Sequence, residues 1–319
     1  MAKPYVASTL INGIKRRASI PENQATFEAD DFLAFADEEL VLGIVPGIMS
    51  LHEDYFLYEI EVPLQSDKKE YEIPSRAVGN KLRDLQYKPN DNTVIEMTRI
   101  SVGDRFSDYN DEFLSDIKRY YVKNNKVVVS GSLANSSGGS LLFIFYIKPS
   151  QLVLEENIGI IQGINDLNNG KTELVLNALP DNFNTSIKYD LYKFESPSSI
   201  LTIDIIPTTI NTLTKSITFN TEDIPDDLKI GDHIAEAGEA TIPQVPNEFH
   251  AMLEQMVACR ILESIGDTQG LQNAMVKLKQ METSGNTLID NRVEDSPQKV
   301  VNRHSLLRSA TSRKYNRRY

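Results

Sequence analysis

The triplet Gly170-Lys171-Thr172 matches the close of the loop that wraps nucleotide phosphates. Such a loop also needs a glycine about five positions before Gly170, where the backbone must turn around a phosphate. Asn165 stands there, Gly163 comes too early, and no helical pattern follows. The triplet therefore reads as a hairpin turn. The histidines His52, His233, His250 and His304 are far apart in the chain. His52-Glu53-Asp54, or His250 with Glu254 one helical turn on, offers two ligand types but lacks the third protein ligand a catalytic zinc needs. These histidines read as solvated polar groups. No Gly-x-Ser-x-Gly elbow supports a serine nucleophile. Cys259, the single cysteine, lies between Ala258 and Arg260 on an apolar helical pattern and reads as a packing residue. The pairs Asp30-Asp31 and Asp226-Asp227 read as surface or turn acids. Asn135-Ser-Ser137 and Asn184-Thr-Ser186 fit the glycosylation pattern, and without a secretion signal they are expected to stay bare. The expectation is a protein that is not an enzyme and carries no cofactor or metal.

The elements that must position these residues fill 319 residues, enough for roughly two domains. The chain is 40% apolar and 24% charged, ordinary composition for packed cores. One cysteine excludes an intramolecular disulfide framework. No apolar run is long enough for a membrane helix, and the first residues lack a signal peptide's apolar stretch, so a protein made in a cytoplasm is expected. The net charge of −12 argues against a surface that wraps nucleic acid. That charge is uneven. Lys299, Arg303, Arg308, Arg313, Lys314, Arg317 and Arg318 give residues 299–319 seven cations and no acid, which leaves −19 on residues 1–298. Such a tail cannot bury enough surface to fold alone and reads as an interaction arm.

The periodicity predicts an α+β chain. Helices at 1–56 carry Ile11, Ile14, Phe32, Phe35 and Ile44, with a break at Pro46-Gly47; Asp30, Asp31, Asp37, Glu38 and Glu39 are expected to face solvent. A first β-rich block covers 57–150, with a hairpin at Asn124-Asn125 and a buried strand over 141–147. A second, sandwich-like β block covers 151–245, with strands over 172–177, 186–194, 200–206 and 216–219. Helices return at 246–284: Phe249, Leu253, Met256, Val257 and Ile261 share one face, Gly266 is a C-cap, Thr268 caps the next helix, and Gly285 opens an extended arm over 285–319. Helices at the two chain ends can pack together around an inserted β region.

One stretch is more specific. It runs from Gly231-Asp232-His233-Ile234 through Ile242-Pro243-Gln244-Val245-Pro246-Asn247-Glu248-Phe249-His250 into Leu253–Asp267, then Leu288-Ile289-Asp290-Asn291-Arg292-Val293-Glu294 and Val300-Val301-Asn302-Arg303. It resembles the C-terminal half of the head-to-tail adaptor (connector, or neck) proteins of tailed bacteriophages. Tyr71-Glu-Ile-Pro-Ser-Arg-Ala-Val-Gly-Asn-Lys-Leu-Arg-Asp84 resembles a segment recurrent in the same proteins.

The resemblance implies an adaptor-type helical bundle in a non-enzymatic virion protein at the head–tail junction. Such proteins form a homo-oligomeric ring, commonly of about twelve copies, that joins the portal protein to downstream tail or neck proteins. The β blocks would form a barrel or sandwich facing the tail, or a platform for other components. Genomic DNA would slide through without sequence-specific binding, and an acidic wall avoids sticking to phosphate. The expected portal or subunit contacts are Arg303, Leu306, Leu307, Arg308, Arg313, Lys314, Tyr315, Arg317, Arg318 and Tyr319, the arginines pairing with carboxylates and the leucines filling apolar pockets. Two other readings stay open: a nucleic-acid-binding assembly protein that uses the basic tail, or a tail-tube or baseplate component.

Overall fold

A computed structural model describes residues 5–21, 26–65, 68–90, 92–103, 118–130, 138–167, 169–194 and 200–289. The fold is α+β, with helices at both ends of the described chain and two β units between them.

The first helices are α1 (Ala7–Arg17), α2 (Ala29–Glu39) and α3 (Val45–Leu51); the last are α4 (Asn247–Ser264) and α5 (Thr268–Ile289). They share one core, in which Leu10, Ile14, Phe32, Ala36, Ile44 and Ile48 meet Phe249, Leu253, Val257 and Ile261. The central helix is α4, packed on α1, α2 and α5. It is buried around most of its circumference, His250, Glu254 and Gln255 included, as a helix enclosed by three others must be.

Three helix boundaries differ from the sequence expectation. The chain does not break at Pro46-Gly47; a π-helical turn over Leu40–Ile44 joins α2 to α3, and Pro46 lies in the first turn of α3, where its missing N–H costs little. The cap of α5 is Asp267, whose Oδ1 accepts the Gly270 N–H at 2.9 Å, and not Thr268. Helix α5 continues past Gly285, against the expected helix end there, and Gly285 lies over the Phe249 ring. Gly266 caps α4 as expected, with φ +75° and its N–H on the Glu263 carbonyl. Asp37 departs from its expected solvent-facing position: half-buried, it accepts the Leu152 N–H at 2.8 Å.

The first β unit holds β1 (Leu57–Pro63), β2 (Glu70–Glu72), β3 (Asp84–Asn90), β4 (Thr93–Glu96), β5 (Thr98–Arg99), β6 (Arg119–Lys123), β7 (Lys126–Ser130) and β8 (Ser140–Tyr146). They make two four-stranded sheets, β1-β8-β3-β4 and β2-β7-β6-β5. The chain changes sheet at Met97, whose N–H goes to Leu85 while the next N–H, from Thr98, goes to Lys118 in the other sheet. Asn124 and Asn125 both take positive φ, the requirement of the tight β6–β7 hairpin. Strand β8 is interior to its sheet and buried on both faces, and its Leu141, Phe143 and Phe145 belong to the core that the helices share.

The second β unit has a separate core. Its strands are β10 (Gly159–Asp166), β11 (Lys171–Leu176), β12 (Tyr189–Tyr192), β13 (Ile200–Ile205), β14 (Thr209–Asn211), β15 (Ser216–Asn220) and β16 (His233–Glu236), flanked by the short β9 (Gln151–Leu152) and β17 (Glu239–Ala240). The expected sandwich is instead one seven-stranded antiparallel sheet, ordered β13-β12-β16-β10-β11-β15-β14. Its two edge strands, β13 and β14, are consecutive in the chain and joined only by residues 206–208. The sheet must therefore curl enough to bring the end of β13 near the start of β14, an open barrel in which, among the described residues, β13 pairs with β12 and β14 with β15 rather than with each other. A bulge between Ile161 and Gly163 bends β10, and Ile161, Leu174, Tyr189, Leu191, Ile217, Phe219 and Ile234 fill the interior. Gly231-Asp232-His233-Ile234, assigned by resemblance to the C-terminal half, leads into and lies on β16 in the middle of this barrel.

Strands β9 and β17 pair in parallel where the chain enters and leaves the barrel. Beside them Arg76, from the first β unit, pairs with the buried Asp190 of β12 at 2.6 Å and donates to Ser150 at 2.9 Å. Asp190 also accepts the backbone N–H groups of Asp204 and Gly238, so its lone pairs are filled on both sides. This satisfied network fixes how the barrel meets the rest of the fold.

Candidate functional site

A cleft of about 980 Å³ lies between α1, α4 and the first half of α5. At its floor α1 approaches α4 closely at Gly13, where a Cβ would collide with the Glu254 carboxylate. Polar groups line the floor. Arg17 donates to Glu254 at 2.6 Å and to Gln255 at 3.2 Å, and the Tyr5 hydroxyl donates to the other Glu254 oxygen. Gln255 in turn donates to the Ala274 carbonyl of α5 at 3.1 Å. Burial, with the Glu254 carboxylate beside it, pushes the Tyr5 hydroxyl far above the ordinary phenol range, so Tyr5 is a fixed donor.

The walls add Arg16, Lys277, Asn12, Asn273 and Asp267. With Arg17 and Glu254 neutralising one another, Arg16 and Lys277 give the opening a slight positive balance in an otherwise acidic body. Such a surface can accept a carboxylate. It holds no nucleophile paired with a base.

The structure scatters the other chemical candidates. His52-Glu53-Asp54 does not converge: Glu53 takes the Tyr146 hydroxyl, Asp54 takes Arg83, and the His52 ring lies edge-on to Tyr55. His250 and Glu254 do not converge on one point: the His250 Nε2 lies 3.1 Å from the Pro243 carbonyl and 3.2 Å from that of Val245, and its ring lies tilted against that of Tyr5, with centroids 4.6 Å apart, while Glu254 takes Arg17 and the Tyr5 hydroxyl. His233 sits against Tyr192 and Phe194. Both His233 and His250 are buried, contrary to the expected solvation, because each fills an aromatic gap that the spacing of the sequence does not reveal. Burial lowers the His233 pKa to about 4. Of Gly170-Lys171-Thr172, Gly170 lies in the β10–β11 turn with φ +73°, and Lys171 and Thr172 begin β11. Cys259 is buried on α4, and burial raises its thiol pKa. Asp226 and Asp227 lie in a turn, where Asp227 pairs with Lys193 at 2.5 Å.

Among the described residues, no group of three or more His, Cys, Asp or Glu is placed to hold a metal ion, and no helix is long and apolar enough to cross a membrane. Arg303, Leu306, Leu307, Arg308, Arg313, Lys314, Tyr315, Arg317, Arg318 and Tyr319 lie outside the described residues. Sequence reasoning missed the cleft: Tyr5, Arg17 and Glu254 have ordinary neighbours, and the only local signal was Gly13 inside an otherwise helical pattern. No known family model matches the chain, and no curated protein matches it in sequence.

Proposed function

We propose that this protein is a structural component of a virus particle, a head–tail adaptor whose copies form a ring of about twelve between a portal and a tail. The observation that carries the reading is the interlock of chain ends. Helices α1 to α3 and α4 to α5 share one core, both β units are inserted between them, and the basic arm follows α5. A helical unit with a trailing arm can dock upward while the barrel projects elsewhere. This division of surfaces is what a joint between two assemblies needs, and it agrees with the adaptor-like segments that surround α4. In this reading the cleft beside Arg16 and Lys277 receives a carboxylate-bearing segment of a neighbour, and the acidic body lets DNA pass without gripping phosphates.

Electron microscopy of the purified protein mixed with its portal tests the proposal. Rings seated on portal are expected, and the 299–319 deletion should leave a folded body that no longer seats. Rings that never form in the presence of portal, or undiminished docking after the deletion, would overturn it. Salt-sensitive DNA binding by residues 299–319 that assembly requires would favour the nucleic-acid reading instead.

A further inference from the structure

We infer that the free chain docks its own arm, through Leu306-Leu307, into a groove between α4 and α5. The groove, of about 210 Å³, lies on the helical unit away from the polar cleft. Its floor is a two-helix seam: Met256 and Cys259 from α4 face Leu271, Met275 and Leu278 from α5, at the spacing of one helix face on each side. Met275 is 54% exposed and the adjacent Val276 63%, apolar side chains on a helix whose surface is otherwise mostly polar. The rim is acidic, with Glu39 and Glu263 at the groove and Glu282 near enough to act on Cys259. Arg260 on the same rim is already held by Glu38 and Glu39.

The arm carries the complement. Leu306-Leu307 is its apolar pair with the larger side chains, flanked by Arg303 and Arg308, and residues 299–319 hold no acid to be repelled by the rim. Apolar anchors between cations fit an apolar floor between carboxylates. Reach selects the chain's own arm over that of a second copy. Leu306 lies 17 residues beyond Ile289, a segment able to span about 56 Å, whereas Met275 lies 14 residues back along α5, about 21 Å. A tether of that length holds the arm at an effective concentration on the order of millimolar, above any concentration of free neighbours in solution. The inference does not depend on ring assembly. It assigns the arm a resting place before any partner arrives.

The single native thiol, Cys259 in the groove, provides the test. In the full-length Leu307→Cys variant, diamide takes two protons and two electrons from the thiols of Cys259 and residue 307, forming the disulfide and reducing its own N=N bond to a hydrazine. Gln298→Cys and Tyr319→Cys serve as controls at shorter and longer tether. A monomeric cross-link at residue 307, formed at least tenfold faster than at 298 or 319, is expected. A rate that only falls with tether length, or a cross-link found in dimers, overturns the inference; the dimer would mean a second copy's arm is the occupant. Independently, with Cys259 as the only thiol, Leu306→Asp/Leu307→Asp should speed its labelling by a soluble aromatic disulfide at least fivefold. An unchanged rate overturns the inference as well. Neither readout involves portal, so failure here is distinct from failure of the adaptor reading.

Discussion

Arg17 and Glu254 join the N-terminal helix to the central one across 237 residues of sequence, and the strength of that joint can be measured. The Glu254 side chain is 9% exposed and that of Arg17 21%. Replacing Arg17 with Met strands a nearly buried carboxylate whose remaining donor is the Tyr5 hydroxyl. Breaking a buried pair from one side costs about 3–5 kcal/mol, and the partial exposure of Arg17 puts this case near 3. Glu254→Gln keeps an acceptor for Tyr5 and leaves Arg17 bonded to Gln255, so its cost is about 1–2 kcal/mol. The double variant buries no unpaired charge and should cost only about 2 kcal/mol, a coupling of about 2–3 kcal/mol between the sites. Urea unfolding followed by helical ellipticity at 222 nm gives all four corners of the cycle. If the two single costs add to within about 0.5 kcal/mol, the pair is not coupled and the account of the cleft floor is wrong.

Leu253 is fully buried on α4, and Leu253→Ala should cost about 2–5 kcal/mol; an unchanged unfolding midpoint would contradict its place in the shared core. Gly13→Ala should destabilise the helical unit by about 1–3 kcal/mol through the clash with Glu254, and an added Glu254→Ala should remove most of that penalty. Two groups should give the units opposite responses to acid. Burial raises the Asp37 pKa from 3.8 to about 6, so the folded form binds the proton first and this group's contribution falls as pH rises from about 4 to 6; Asp37→Asn should abolish the slope. Burial lowers His233 from 6.5 to about 4, so the unfolded barrel binds the proton first and stability falls as pH drops through that window, a trend that unit-resolved hydrogen exchange can follow.

Much of the fold is legible locally, and what escapes depends on distant partners. Asn124-Asn125, Gly266 and the apolar run of β8 announce themselves because turn geometry, capping and full burial each leave a residue-level mark. Strand β10 left none: it starts and bends at glycines, Gly159 and Gly163, and its register is set by β11 and β16. Gly159 is explained only in three dimensions, where a Cβ would come within 2.7 Å of Leu176 and 2.9 Å of Ile234. Strand spacing is the same for a sandwich-like block and for a single curled sheet, and only pairing order shows that β13 and β14 are opposite edges of one sheet. The polar cleft was invisible for the same reason. Its residues come from three helices, and Glu254 looks like any surface acid until α1 covers it.

The interlock of chain ends also orders events during synthesis. Leu10, Ile14 and Phe32 leave the ribosome long before their partners on α4, since Arg17 and Glu254 alone are separated by 237 residues. At about 5–20 residues per second, the N-terminal helices wait roughly 10–50 s with the faces that α4 will cover unmatched. The barrel has a core of its own, and once residue 236 has emerged it can close while those helices still wait. A nascent chain stalled before residue 247 would therefore present a finished barrel beside a sticky helical stub, a natural substrate for a holdase chaperone.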